Sequence, residues 1–303
     1  MQFLYLLEDI RVPFLDAIML AITSLGEETV FLVIALVLFW CVDKKIGYYT
    51  LSVGFVGTIV NQFLKLWVRI PRPWVIDPNF SILEQAREAA AGYSFPSGHT
   101  QSAAGTFGSI AYAFKNKIIR LSAVILVILV AFSRMYIGVH TPQDVLASVG
   151  IAIVLIVAFK PVVLSEHYNR FRMLLAGMAV LAVAFLCFIK FYDFPTDLDP
   201  HNYASGLKSA YTLLGAFSGL IIVYIVDEKW VKFPTAAVWG AQLIKIGVGL
   251  CLVILVKSCT KELLNHLLGE QLGRAVRYCL IVLTAGALWP LSFKWFSGLG
   301  SKE

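Results

Sequence analysis

Apolar positions run through most of this chain in blocks of about 20 residues, the length a helix needs to cross a bilayer. Polar positions collect between the blocks. Nine blocks stand out, at roughly 25–42, 47–68, 97–115, 118–138, 142–161, 171–191, 206–227, 236–257 and 277–297. They predict an all-α, polytopic membrane helix bundle. The stretch 3–23 departs from the pattern: Glu8, Asp9, Arg11 and Asp16 interrupt it and Pro13 divides it. Glu8, Asp9 and Asp16 fall within about 100° of each other on a helical wheel. That predicts an interfacial N-terminal helix over 1–24 rather than a tenth span.

The loops give an orientation. Lys44 and Lys45 lie between the first two blocks, Lys115, Lys117 and Arg120 between the third and fourth, and Lys160, Arg170 and Arg172 after the fifth. Short loops rich in Lys and Arg stay cytoplasmic. The loop 69–96, the turn at 139–141 and the acidic stretch 192–204 with Asp193, Asp197 and Asp199 are then extracytoplasmic. The segment 258–276 carries Lys261 and Arg274, with Arg277 just beyond, yet falls outside on this count. It runs against the rule and leaves the last two spans least determined. The character of the chain changes near 162–170. Before it, polar residues gather at span ends. After it come four spans with few ionisable residues, among them Lys245, and a Gly215/Gly219 pair suited to close helix packing.

Composition narrows the class. Of 303 residues, 59% are hydrophobic and 15% charged, and the mean hydropathy is +0.78. A water-soluble globule and a disordered chain are both excluded, and blocks of this length are too continuous for barrel strands. The formal charge of +6 fits cytoplasmic loops, and no soluble basic domain is present to bind nucleic acid. Cys41, Cys187, Cys251, Cys259 and Cys279 show no CxxC spacing and read as small buried hydrophobes. Acidic Glu8 and Asp9 stand where a signal peptide carries basic residues, so cleavage is not expected.

Three clusters are costly in lipid. Lys65, Arg69, Arg72 and Pro73 end the second span; Pro96-Ser97-Gly98-His99 opens the third; Ser133-Arg134, His140 and Asp144 bridge the fourth and fifth. All lie on the extracytoplasmic side of this map. Lys65, Arg72 and Arg134 have only Asp144 to offset them, and uncompensated charge at a membrane boundary is expensive. A phosphate dianion offsets it, and Arg meets phosphate oxygens in bidentate fashion. Ser97 and Gly98 sit at a helix start, where free N–H groups attract anions. Asp144, four residues after His140, is placed to reach one imidazole nitrogen and leave the other free to attack. His99 comes from a different span and faces a leaving group. Taken singly, a span-end lysine snorkels and a Pro-Ser-Gly turn is common punctuation. In order and on one face, the clusters describe a phosphoryl-transfer site.

Lys65 followed by six residues and Arg72-Pro73, then Pro96-Ser97-Gly98-His99, then Ser133-Arg134 with five residues to His140 and three more to Asp144, resemble the tripartite signature of the type 2 phosphatidic acid phosphatase (PAP2) superfamily. The likeness covers roughly 47–161. It implies that His140 is the nucleophile, forming a phosphohistidine, that Asp144 orients it, and that His99 protonates the leaving oxygen and then activates water. It implies that Lys65, Arg72, Arg134, Ser97 and the Gly98 N–H hold the phosphate, with no metal and no other cofactor. Ser133 belongs to the motif with a packing or supporting role. The expected layout is a PAP2-type catalytic core over 25–161 and additional transmembrane helices over 171–303. The loop 74–95, with Trp74, Asp77, Glu84, Arg87, Glu88 and Tyr93, reads as solvated surface or as a lid.

The function expected is an integral membrane phosphatase, in the plasma (inner) membrane with its site extracytoplasmic, acting on a membrane lipid phosphate or polyprenyl pyrophosphate. A glucose-6-phosphatase-like hydrolase of a soluble ester is the alternative enzyme. A non-catalytic anionic-lipid binder is the alternative outside catalysis, and the paired histidines argue against it. The sequence leaves the particular lipid and the oligomeric state open.

Overall fold

A computed structural model describes residues 1–90, 92–165, 168–196 and 198–298. Asp197, counted above in the acidic stretch, lies outside the described residues. Every regular element among them is helical, as the block pattern predicts. Among the described residues six helical segments are long and apolar enough to cross a membrane, or seven if the pair 13–24 and 28–42, bent by 53°, counts as one span. That is fewer than nine, for two reasons. The third expected block is a helix of only 16 residues, and the last two form a single candidate over Trp239–Gly298.

The chain divides into two units. The first comprises Met1–Ile34, Tyr49–Pro161 and Asp193–Gly206. Its elements are α1 (Gln2–Asp9), α2 (Pro13–Ser24), most of α3 (Glu28–Val37) and α4 (Lys44–Val68), the short α5 (Pro73–Ile76), α6 (Gly98–Ala113), α7 (Lys117–Tyr136) and α8 (Pro142–Val163). Local chemistry sets their starts. Pro13 opens α2, the Ser97 hydroxyl accepts from Thr100 N at the head of α6, and the Asn116 side chain accepts from Ile118 N and Ile119 N at the head of α7. Leu146, Ile153, Val154 and Val157 of α8 are exposed; this is the face that lipid covers.

The charged edge of 1–24 is docked on protein. Tyr5 donates to Asp77 at 2.9 Å, Tyr136 to Asp16 at 2.8 Å, and Ser81 hydrogen-bonds Glu8. Leu4 joins Phe80, Ile82, Tyr136, Ile137 and Val139 in one apolar cluster. The loop 74–95 is therefore only partly solvated. Phe80, Ile82, Ala86 and Ala90 are buried, while Arg87 and Glu84 pair on its surface at 2.6 Å.

The second unit comprises Ala35–Tyr48, Val162–Tyr192 and the chain from Leu207 onward. It holds α9 (Tyr168–Phe191), most of α10 (Pro200–Val226), α11 (Trp239–Leu283) and α12 (Phe293–Gly298). α11 is broken at Gly269, whose φ of 77° is left-handed backbone that glycine supplies. Its arms fold back on each other. Trp289 donates to Lys245 O at 3.1 Å, and a Cβ on Gly273 would meet Leu264 O at 2.6 Å. The tip lies beside the end of α9, where Lys190 donates to Gln271 at 3.3 Å. The arm from Trp239 to Leu268 is roughly 45 Å long at 1.5 Å per residue, which overreaches a core of about 30 Å. The basic residues near its tip still run against the loop-charge rule.

In this unit the glycine pair packs helices closely as expected, and the cysteines depart from expectation. A Cβ on Gly215 would lie 1.9 Å from Ala275 O, so that glycine admits α10 against α11. The cysteines are not buried: Cys187, Cys251 and Cys259 are exposed, and Cys41 and Cys279 are intermediate. Apolar runs in a membrane helix cover lipid-facing positions as well as the core, and the pattern alone does not separate them. Lys245 is fully buried; its ammonium reaches Thr235 O at 3.0 Å over the Phe293 ring.

Candidate active site

Four helices supply the three clusters. Lys65 ends α4, His99 sits in the first turn of α6, Arg134 in the last turn of α7 and Asp144 in the first turn of α8, with His140 in the turn between the last two. Arg72 follows α4 and precedes Pro73. The two arginines, His140 and Asp144 are each at most 5% exposed.

Arg72 is the hub. Its Nε donates to Gly92 O, and its Nη1 donates to Val139 O and to His140 Nε2 at 2.9 Å. A guanidinium carries donors only. His140 Nε2 therefore accepts, and the ring proton sits on Nδ1. That side faces Asp144 Oδ2 at 3.4 Å and Ser94 Oγ at 3.5 Å. Ser94 donates to the same Asp144 oxygen at 2.6 Å, and Thr141 N donates to it at 2.8 Å. The carboxylate is thus held by two donors, Ser94 and Thr141 N, beside the imidazole. Burial first, then Arg72, Arg134, Lys65 and His99, pushes His140 well below the ordinary imidazole range. A neutral ring with an unprotonated Nε2 is the nucleophilic form.

The other cations point to an anion. Lys65 donates to Tyr93 O at 2.7 Å. Arg134 donates from Nη1 to Thr23 at 2.7 Å, while its buried Nε has no partner among the described residues. Three cations against Asp144 alone leave two positive charges, the charge a phosphate dianion offsets. Ser97 has two duties: its hydroxyl caps α6, and its carbonyl accepts from Ser148. Gly98 N–H opens the helix, and a Cβ there would meet only Asn61 Oδ1 at 3.8 Å. Among the described residues no group of three or more His, Cys, Asp or Glu side chains is arranged to hold a metal ion.

Comparison with known proteins now decides the family. Residues 45–168 match the model of the PAP2 superfamily, and 211–302 match that of the PAP2 superfamily phosphatase transmembrane extension. Undecaprenyl-diphosphatase BcrC of Bacillus subtilis (strain 168) is 35% identical over 143 residues, 46% of this chain and 71% of the relative. The chain belongs to the PAP2 superfamily. Phosphatidylglycerophosphatase B of the same organism is 30% identical over 176 residues, 54% of this chain and 81% of the relative. Human sphingosine-1-phosphate phosphatase 2 is 23% identical over 264 residues, 79% of this chain and 63% of the relative. No solved structure is significantly similar to it. The chain is an integral membrane phosphatase of the PAP2 type.

In this PAP2 phosphatase, Arg69 and Ser133 have local features of their own. Arg69 has φ 55° and a buried Nη1 without a partner, and Ser133 bonds back to Val130 O. Several polar residues around the cup carry no sequence signal of their own. Thr23 lies outside the three clusters, in α2. Ser94 is one serine in a polar loop, and Asn61, which donates to Pro96 O at 3.3 Å, sits inside an apolar block. Asn202 accepts from Tyr93 N at 3.0 Å and lies more than a hundred positions further along the chain.

Proposed function

We propose that this chain cleaves the terminal phosphate from a lipid phosphate or polyprenyl pyrophosphate whose tail stays in the bilayer, through a phosphohistidine and without a metal. The observation that carries the reading is His140, with Nε2 facing Arg72 and Nδ1 facing Asp144 and Ser94. In the first step His140 Nε2 forms a bond to phosphorus while the bond to the leaving oxygen breaks, and His99 gives that oxygen a proton. In the second, His99 takes a proton from water, whose oxygen displaces His140 and releases inorganic phosphate. Lys65, Arg72 and Arg134 carry the charge on the phosphoryl oxygens, the dominant demand in such transfers. Asp144 supports the positive ring that forms.

The relatives favour an amphiphilic substrate: those reported above are named for an undecaprenyl diphosphate, a phosphatidylglycerol phosphate and a sphingosine phosphate. The span-end placement of the cup favours the same class. The loop charges support an extracytoplasmic cup, and we propose the plasma (inner) membrane as its location. We read 1–24 as a helical segment at the membrane interface, 25–161 as the catalytic core and 171–303 as added transmembrane helices.

The test is phosphate release by the purified full chain, with a chelator present, from phosphatidic acid, phosphatidylglycerol phosphate, undecaprenyl pyrophosphate and a sugar phosphate. Release from one or more of the first three, with the sugar phosphate poor, is expected. Preference for the sugar phosphate, or dependence on an added metal, overturns the reading.

A further inference from the structure

The second unit contains a cavity of about 580 Å³, within the usual range for small-molecule sites. It lies where residues 43–48, Val163, Ser165, Phe171 and 224–235 meet, and shares no residue with the phosphatase cup. Its floor is aromatic. Tyr48, Phe171 and Tyr224 pack edge to face or tilted, with centroids 5.0 to 5.9 Å apart.

The charges in its wall are not balanced in use. Asp227 is taken by Lys44 at 2.8 Å, which also lies 3.7 Å over the Phe233 ring. Asp43 accepts from Lys45 N and Ile46 N. Glu228 is held by Arg172 at 2.6 Å. All three carboxylates are engaged. Among the described residues Lys45 donates to the Ser165 carbonyl at 3.3 Å and neither Lys45 nor Lys232 has an ion pair. Tyr48 is 4% exposed and its hydroxyl has no hydrogen-bond partner among the described residues. Leaving a buried hydroxyl unpaired costs about 1–3 kcal/mol, so a ligand acceptor there is favoured.

We propose that this cavity is a second anion site, taking a phosphate group between Lys45, Lys232 and the Tyr48 hydroxyl, with any attached apolar part on the Tyr48, Phe171 and Tyr224 floor. We assign this site binding alone: among the described residues, no histidine and no unengaged carboxylate lines it. An anionic phospholipid headgroup and a soluble phosphate present the same chemistry.

Native mass spectrometry of the full chain in detergent separates the sources. Phosphatidylglycerol, phosphatidylcholine and inorganic phosphate are titrated into wild type, Lys45→Gln/Lys232→Gln, Tyr48→Phe and Arg72→Gln. If a lipid fills the cavity, wild type and Arg72→Gln retain phosphatidylglycerol over phosphatidylcholine. Lys45→Gln/Lys232→Gln then binds it at least about tenfold more weakly and Tyr48→Phe several-fold more weakly. If soluble phosphate fills it, the same ordering appears in the phosphate titration and not with lipid. Wild-type binding by the double variant in both titrations, at unchanged thermal stability, overturns the proposal. So does equal retention of phosphatidylcholine and phosphatidylglycerol without a phosphate effect.

Discussion

Arg72 Nη1 donates to His140 Nε2 at 2.9 Å, so one guanidinium fixes the tautomer of the ring and occupies the atom assigned to attack phosphorus. In the proposed mechanism a phosphate entering the cup takes over the Arg72 donor and releases Nε2 toward phosphorus. Arg72→Gln then removes a proposed phosphate ligand and a cation that repels a proton from His140. The ring must be neutral to attack, and its proton affinity is depressed below the ordinary 6.5. Losing a cation raises that affinity. The acid limb of kcat/KM should move to higher pH in Arg72→Gln, with the maximum rate reduced about 100-fold or more. An acid limb that stays put, or moves to lower pH, contradicts this.

Ser94 donates to the Asp144 oxygen that faces His140. Ser94→Ala leaves the carboxylate with one of its two hydrogen-bond donors and loosens the ring. Steady-state kinetics should show kcat down about tenfold with KM changed little, and Ser94→Thr should restore part of the rate. An effect confined to KM counts against a positioning role.

Thr23 is the partner of Arg134 Nη1. Thr23→Val keeps the shape and deletes the acceptor, leaving a buried guanidinium short of a partner at a cost of about 1–3 kcal/mol. A lower thermal midpoint in detergent is expected, together with weaker inhibition by vanadate as the arginine loses its aim. Unchanged midpoint and unchanged vanadate affinity sink the assignment.

Asn202 holds Tyr93 N and lies against Gly92, where a Cβ would meet its Oδ1 at 2.5 Å. Gly92 and Tyr93 supply the carbonyls that hold Arg72 and Lys65. Asp199 N adds a bond to the Tyr93 hydroxyl. Asn202→Ala should raise KM about tenfold for lipid and soluble substrates alike, because the cations lose their backstop. A change limited to one substrate class points instead to a contact with the lipid tail.

The cup was legible because its chemistry is costly in lipid and its residues keep fixed short spacings, from Lys65 to Arg72, across Pro96 to His99 and from Arg134 to Asp144. What was not legible depends on partners distant in sequence. Thr23, Ser94 and Asn202 are ordinary polar residues until the chain brings them to Arg134, Asp144 and Tyr93. The charges of 1–24 read as the polar side of an interfacial helix because Ser81 and Tyr136, which receive Glu8, Arg11 and Asp16, lie 70 or more positions away. In the second unit, hydropathy marks where the arms of α11 run. It does not say that Gly269 adopts a left-handed φ and turns them against each other.

The most direct test of the phosphohistidine is to trap it. His99→Ala is given ³²P-labelled 4-nitrophenyl phosphate, whose leaving group needs no proton, and is quenched in alkali. An alkali-stable, acid-labile label on His99→Ala that is absent from His99→Ala/His140→Ala is the predicted result. No such label on His99→Ala, or one that persists without His140, contradicts the mechanism.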